Sequence, residues 1–308
     1  MDVAFIGAGG VGGYFGGLLA RKGVGVHFVA RGQHLSAIRR EGLRIEAASG
    51  TFTVRPASAE ADARAVGRCD FAFVCVKNYD LDAAIEALRP FAGERACFVP
   101  LLNGVDAVDK LGAAFPRRTV AGQCSVLAEV AAPGVIRQAP GPQQIVVGEL
   151  DRRLTSRVAA LADVFAGTGV DLVVSESIQT ALWTKAIYIA CLASVIAATR
   201  TSAREVLACA ESRALYIAAL REAVAVADKE GVTLEPNLVQ TLLARGEALQ
   251  AGTKLSLLRD FEANRRTEIE SLSGSFIRRG RARGVPTPTH EFLYAVLLPA
   301  HLRGCAGV

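Results

Sequence analysis

The sequence predicts an α/β N-terminal domain over residues 1–175 and an all-α C-terminal domain over residues 176–308. Three observations carry that expectation. From residue 3 to about residue 175, short β-rich runs alternate with amphipathic stretches, the pattern of a parallel sheet wrapped by helices. Beyond Ser175 the β pattern gives way to helical periodicity. A length of 308 residues suits two domains at roughly 150 residues each.

In chain order, the β-rich runs are 3–6, 24–29, 71–76, 98–101 and 170–174. Between the fourth and fifth, Pro133-Gly134 and Pro140-Gly141-Pro142 bracket Val135-Ile136 and Ile145-Val146-Val147, which reads as a hairpin with antiparallel strands at one sheet edge. In the second half, Ile217, Leu220, Val224 and Ala227 form one apolar stripe that stops at Gly231, and Ile269, Leu272 and Phe276 form another. Pro236 and Pro288 stand where first-turn prolines open helices.

Composition narrows the class of function. Hydrophobic residues at 51% and charged residues at 21% exclude a disordered or low-complexity chain. The net charge of +5 has no dense basic stripe, so no nucleic-acid partner is expected. Seven scattered cysteines show neither CxxC nor zinc spacing and read as reduced, mostly buried thiols of a cytoplasmic protein; no metal is expected. The start of the chain predicts neither signal peptide nor anchor. The apolar stretch 186–198 falls short of the roughly 20 residues of a membrane span, so no membrane association is expected.

Gly7-Ala8-Gly9-Gly10-Val11-Gly12 follows the first strand at once and opens a helix that runs to Gly23, with the next strand ending at Val29. That is a Rossmann-type dinucleotide unit: Gly7 permits the tight turn, Gly9 lets backbone approach a pyrophosphate, and Gly12 lets helix and strand pack closely. Gly7, Gly9, Gly10 and Gly12 are therefore candidate cofactor residues, with the pyrophosphate on the helix N-terminus. The second strand ends in Arg31 where an NAD site carries a carboxylate. A guanidinium there suits a 2′-phosphate, which points to NADP(H). Lys77 and Asn103 follow the third and fourth strands, at the end where doubly wound folds bind ligands.

In the helical half, Trp183-Thr184-Lys185 opens a long helix that is otherwise nearly devoid of charge until Arg200. Lys185 reads equally as a snorkelling residue and as a proton donor to a reduced carbonyl. Asp260 and Glu268 lie two turns apart on a candidate helix, whose Glu268 face continues through Ser271, Leu272 and Ser275; such acids are usually solvated. Arg278, Arg279, Arg281 and Arg283 read as a solvated helix end.

Taken together, these residues resemble the ketopantoate reductase (2-dehydropantoate 2-reductase) family along nearly the whole chain. The motifs are GAGGVGGYFGGLLA, the AR-G-x-H at Arg31 to His34, VCVKNYD around Lys77, LLNGV around Asn103, LWTK ending at Lys185, and S-x-x-x-D-x-E-x-x-R-x-T-E from Ser256 to Glu268. The resemblance implies a Rossmann N-terminal domain, a helical C-terminal domain and a cleft between them. It implies pantothenate biosynthesis and hydride transfer from NADPH to the keto carbon of a 2-oxo acid. By the same resemblance Lys185 matches the general acid, Glu268 a carboxylate of the site, Ser256 a hydroxyl for the substrate carboxylate, and Lys77 and Asn103 residues at cofactor and substrate. One departure stands out: where the family carries substrate-binding asparagines one and two turns after that lysine, this chain has Ile189 and Ala193. Tyr188, Ser194 and Thr199 are the nearby polar side chains. The alternatives are a reductase of a more apolar carbonyl substrate and a non-catalytic NADP-binding protein, which a panel of 2-oxo acids with NADPH separates. A homodimer is compatible with the sequence, which does not fix the oligomeric state.

Overall fold

Alternation of Val3 and Phe5 with Ala4 and Ile6 buries both faces of the first strand, as a central parallel strand requires. The computed structural model describes residues 1–89, 96–250, 252–253 and 255–306. Their elements are β1 (Asp2–Ile6), α1 (Gly10–Lys22), β2 (Gly25–Val29), α2 (Gly32–Glu41), β3 (Leu43–Ala47), β4 (Gly50–Val54), β5 (Ser58–Glu60), β6 (Phe71–Val74), α3 (Leu81–Leu88), β7 (Cys97–Pro100), α4 (Asp106–Ala114), β8 (Ala121–Ser125), β9 (Ala128–Ala132), β10 (Val135–Gln138), β11 (Gln144–Gly148), α5 (Ser156–Phe165) and β12 (Asp171–Val174). Helices alone follow: α6 (Ile178–Thr199), α7 (Ala203–Ala208), α8 (Ala210–Lys229), α9 (Leu238–Glu247), α10 (Ser256–Glu262), α11 (Ser273–Arg283) and α12 (Pro288–Ala306). They divide into two units, Met1–Leu102 with Ala107–Ile178, and Asn103–Asp106 with Gln179–Val308. The short turn 103–106 thus packs with the helices rather than with the sheet that precedes it.

In the first unit, five parallel strands run in the order β5-β2-β1-β6-β7. The order reverses between β1 and β6, the kind of switch point at which doubly wound folds bind ligands, outside the carboxyl ends of the strands. Phe5, Phe28, Phe73, Phe15 and Phe165 fill the space behind it, with Phe5 and Phe73 stacked at 5.0 Å and Phe165 edge-on to Phe73 at 5.7 Å.

The interval does carry antiparallel strands at a sheet edge, β9 and β10 across the Pro133-Gly134 turn, but the two runs at 135–147 do not pair with each other as a hairpin. β10 pairs antiparallel with β9 and parallel with β3, whereas β11 pairs antiparallel with β8 and parallel with β12. The prolines and glycines between the two runs separate two sheets, of order β4-β3-β10-β9 and β12-β11-β8, instead of closing one turn. The β4-β3-β10-β9 sheet, together with the parallel sheet, explains the glycines of α1. A Cβ at Gly16 would stand 2.5 Å from the Phe28 ring, one at Gly17 2.8 Å from Ile45, and one at Gly13 2.8 Å from Ile136. Helix α1 is covered on two faces by different sheets, and only residues without side chains admit both.

The second unit is built on α6, whose side chains from Ala190 to Ala197 are buried against Tyr216, Leu220, Leu242, Leu293 and their neighbours. At 22 residues α6 is long and apolar enough to cross a membrane, longer than the stretch 186–198 suggests; 72% of its most apolar window is buried within the protein. Its apolar character is that of a core helix. It begins at Ile178, so Lys185 lies about two turns inside it and not at its head.

Three other readings of this half shift. The buried face of α8 is Tyr216, Ala219, Leu220, Ala223, Val226 and Ala227, about one residue around from the expected stripe, with Ile217 and Val224 only half-buried. Pro236 precedes α9 instead of opening it, whereas Pro288 does open α12. No helix joins Asp260 to Glu268. α10 stops at Glu262, Asn264 takes a left-handed φ of 49°, and Glu268, Ile269 and Leu272 belong to the irregular segment before α11. Of the seven cysteines, three are buried, three half-buried and Cys209 exposed, and all are free thiols.

Candidate functional site

The first unit supplies an anion cradle. Gly7, at φ +101°, turns the chain off β1, and a Cβ there would press on the carbonyl of Cys75 at 2.9 Å. Gly12 lies so close to the Gly7 carbonyl that a Cβ would stand 2.0 Å from it. At Gly9 the surroundings are open: no heavy atom of the described residues lies within 4 Å of a Cβ placed there. Gly9 also caps α1 without any side-chain hydrogen bond, which leaves the first-turn N–H groups directed at that space. Gly10 does something else. Its Cβ would fall 2.2 Å from the Ala128 carbonyl of β9, so this glycine lets α1 approach the β4-β3-β10-β9 sheet.

Arg31 is the N-cap of α2, exposed at the carboxyl end of β2, and its guanidinium has no hydrogen-bond or ion-pair partner among the described residues. Three residues on, His34 joins three elements. Its Nδ1 accepts from the Gly134 N–H at 2.9 Å, which leaves Nε2–H to donate to the Ala8 carbonyl at 2.8 Å. Burial pushes this imidazole below its ordinary pKa, against the opposing pull of the Ala8 carbonyl. The glycine loop is therefore tied through a neutral histidine to the turn between β9 and β10. Lys77 is half-buried and caps the 3-10 turn Asn78–Asp80, just past β6. An open glycine, unfilled helix N–H groups and an unpaired guanidinium fit the pyrophosphate and the 2′-phosphate of a dinucleotide.

The second unit gathers the other candidates. Lys185 is half-buried and is the one charged side chain of α6. Asn103 is half-buried in a turn held by Gly104, at φ +83°, where a Cβ would stand 2.7 Å from the Ser271 carbonyl. That contact brings the Asn103 turn onto the segment that carries Glu268. Glu268 is 7% exposed; its own carbonyl accepts from the N–H groups of Ser271 and Leu272, both at 3.1 Å. The adjacent Thr267 is hydrogen-bonded to His301 Nδ1 at 2.8 Å, which ties this segment to α12. Ser256 is half-buried at the start of α10.

Ile189 is half-buried, one turn after Lys185. Ala193 is 1% exposed and packed into the helical core. Of the polar residues nearby, Ser194 is hydrogen-bonded to Ser273 at 2.8 Å and Thr199 donates to the Val195 carbonyl at 2.9 Å. The Tyr188 hydroxyl is buried with no partner among the described residues, and the Arg245 guanidinium lies over its ring at 4.6 Å. Among the described residues no group of three or more His, Cys, Asp or Glu side chains is placed to hold a metal ion.

Arg278, Arg281 and Arg283 are exposed at the helix end as expected, and Arg279 alone departs from that role. Arg279 is only 19% exposed and pairs with Asp106 at 2.9 Å, and Arg278 reaches the other Asp106 oxygen at 3.2 Å. Asp106, Arg279 and His34 escape a sequence reading because each has a partner 100 residues or more away. The one local signal is that His34 and Asp106 stand within three residues of Arg31 and Asn103.

Residues 3–152 match the family model described as ketopantoate reductase PanE/ApbA, and residues 177–300 match that of its C-terminal part. The chain belongs to the ketopantoate reductase family. It is thereby an oxidoreductase. It is 31% identical to the 2-dehydropantoate 2-reductase of Halobacterium salinarum over 94% of this chain and 95% of that one. It is 30% identical to the oxidoreductase YkpB of Bacillus subtilis, over 96% and 98%. A crystal structure of a PanE/ApbA family ketopantoate reductase from Ralstonia eutropha JMP134 superimposes with a TM-score of 0.92 at 33% identity, covering 99% of this chain and 100% of that one. The family and that structure agree with an α/β Rossmann-type N-terminal domain and an all-α C-terminal domain.

Proposed function

We propose that the protein is an NADPH-dependent reductase of small-molecule 2-oxo acids or related carbonyl compounds, working in the cytoplasm, with Lys185 as general acid. The observation that carries this reading is Lys185 itself, the one charge on a long core helix, in the same unit as Asn103, Ser256 and Glu268. The domains assigned are residues 1–175 for the cofactor and 176–308 for the substrate.

Gly7, Gly9 and Gly12 are assigned to the pyrophosphate, Arg31 to the 2′-phosphate, and Lys77 and Asn103 to the cofactor and substrate near the reacting atoms. Gly10 serves the loop through its contact with β9. The bound nicotinamide supplies the hydride. As hydride reaches the keto carbon, the carbonyl oxygen gains charge, and the Lys185 ammonium donates a proton there to give the 2-hydroxy acid. Glu268 supplies the carboxylate of the site and Ser256 the hydroxyl that holds the substrate carboxylate. Lys185→Ala should lower kcat by about 10² or more, as loss of a positioned acid does, with NADPH affinity nearly intact by fluorescence titration. Normal turnover by this variant would place the proton source elsewhere.

The substrate differs from ketopantoate in this reading. Ile189 presents a methyl-lined wall one turn from Lys185, and a substrate hydroxyl against it loses its water without replacement, at about 1–3 kcal/mol. Ketopantoate should be a poor substrate beside 3-methyl-2-oxobutanoate, which lacks the hydroxyl. Ile189→Asn should restore preference for ketopantoate. The matching change at Ala193 would bury an amide in the core and cost stability. A wild-type kcat/KM on ketopantoate above about 10⁴ M⁻¹s⁻¹ would return the chain to pantothenate biosynthesis.

A further inference from the structure

Arg279 touches two of the segments that carry candidate site residues, although it carries no candidate role itself. Its Nε and Nη2 both donate to Asp106 Oδ1, at 3.3 and 2.9 Å. Asp106 stands three residues after Asn103. The Arg279 guanidinium also lies 5.4 Å from the centroid of the Trp183 ring, and Trp183 stands two residues before Lys185. A third segment meets the same carboxylate: Ser275 donates to Asp106 Oδ1 at 2.7 Å, and Ser271, between Glu268 and Ser275, presses its carbonyl on Gly104. Glu230 lies 3.8 Å from the far side of the guanidinium.

We infer that the Arg279–Asp106 pair is a positioning device that sets the Asn103 turn in register with the Lys185 helix and the Glu268 segment. The inference rests on the assignment of those three residues to the reaction. Three features separate this pair from an ordinary surface ion pair. Arg279 and Asp106 are about four-fifths buried, at 19% and 21% exposure. The carboxylate is shared with Ser275 and with Arg278. The guanidinium uses its fork on the acid and its face on an indole, a combination that an ammonium cannot reproduce. The turn it holds has a glycine at positive φ, Val105 buried in the helical core, and Asp106 as its charged anchor. An error of about 1 Å in placing a reacting group can cost on the order of 10²-fold in rate, so such a turn needs an anchor.

Arg279→Lys keeps the charge and loses fork and stack; Asp106→Asn keeps the shape and loses the charge. Both are assayed with the full chain, NADPH, and the faster of ketopantoate and 3-methyl-2-oxobutanoate, and hydride transfer is followed in a single turnover. Each variant should lower kcat and the single-turnover rate about tenfold, with KM for NADPH within about twofold of wild type. The double variant should be no slower than the slower single one, because both remove the same anchor. Unchanged rates, additive losses, a fall that follows loss of NADPH binding, or failure of both variants to fold would each overturn the inference. Lys185→Ala in the same assay tests the site assignment separately. If it turns over normally the assignment fails, and if it is inactive while Arg279→Lys and Asp106→Asn behave as wild type, only the positioning inference fails.

Discussion

Arg31 caps α2 with its backbone while its guanidinium stands exposed and unpaired among the described residues. A carboxylate at the end of the second strand accepts from a ribose 2′-hydroxyl and repels a phosphate; a guanidinium reverses both preferences. Charge-assisted hydrogen bonds contribute about 1.5–3 kcal/mol, so kcat/KM should favour NADPH over NADH by tenfold or more. Arg31→Ala should remove that preference by slowing the NADPH reaction alone. Equal use of the two cofactors by wild type would reject the assignment. The place of Arg31 at the end of β2 was legible because it depends only on the distance from a glycine motif. His34, three residues on, stands within the same motif, but its purpose is not visible in the sequence because its two partners, Ala8 and Gly134, come from a loop before it and a turn 100 residues after it.

Elements were legible to the extent that they follow local rules. Four of the five parallel strands, β1, β2, β6 and β7, fell where β-rich runs stood, because a strand buried on both faces needs a continuous apolar run; the short edge strand β5 had no such run, and the run at 170–174 became β12 of another sheet. The runs at 135–147 misled for a physical reason: strand pairing is not local, and prolines and glycines between two strands serve a crossover between sheets as readily as a hairpin. Helix α1 shows the same limit in another form. The sequence reading gave Gly9 and Gly10 to the cofactor alike, whereas the structure separates them. Gly9→Ala places a methyl in open space at an allowed backbone conformation of φ −69°, ψ −164°. Its melting temperature should match wild type while NADPH affinity falls. Gly10→Ala drives a methyl against the Ala128 carbonyl, an overpacking that costs about 1–3 kcal/mol. That variant should melt several degrees lower, at about 2–4 °C per kcal/mol for chains of this order of size. Equal melting temperatures for the two variants would show that α1 and β9 part without cost.

Across the whole molecule, acid should act on both units through buried histidines before it acts on carboxylates. Burial lowers the pKa of His34 in the first unit, and of His290 and His301 in the second. Each is neutral in the folded protein and takes up a proton near the ordinary value of 6.5 when unfolded. Below that pH the unfolded state binds more protons than the folded one, so stability is full above about 6.5 and falls as the pH drops, until each folded imidazole itself titrates. The slope is at most about 1.4 kcal/mol per pH unit for each histidine. The geometry gives the same sign. Protonating His34 removes the lone pair that receives the Gly134 N–H, and protonating His290, fully buried with its Nδ1 unpartnered among the described residues, puts a charge into the helical core. Glu149 behaves oppositely. Burial raises its pKa, but hydrogen bonds from Arg157 and Thr155 outweigh this and hold it below 4.5, so its contribution is present above 4.5 and lost only as the pH falls through that lowered value. Urea unfolding from pH 8 to pH 5 should therefore show a plateau down to about 6.5 and a decline beneath it. In the first unit His34→Gln, which keeps a donor and an acceptor but does not titrate, should shallow that decline. Stability that stays level to pH 5 in wild type would mean that these three imidazoles open to solvent at little cost, and that the tie between Ala8 and Gly134 does not depend on a neutral ring.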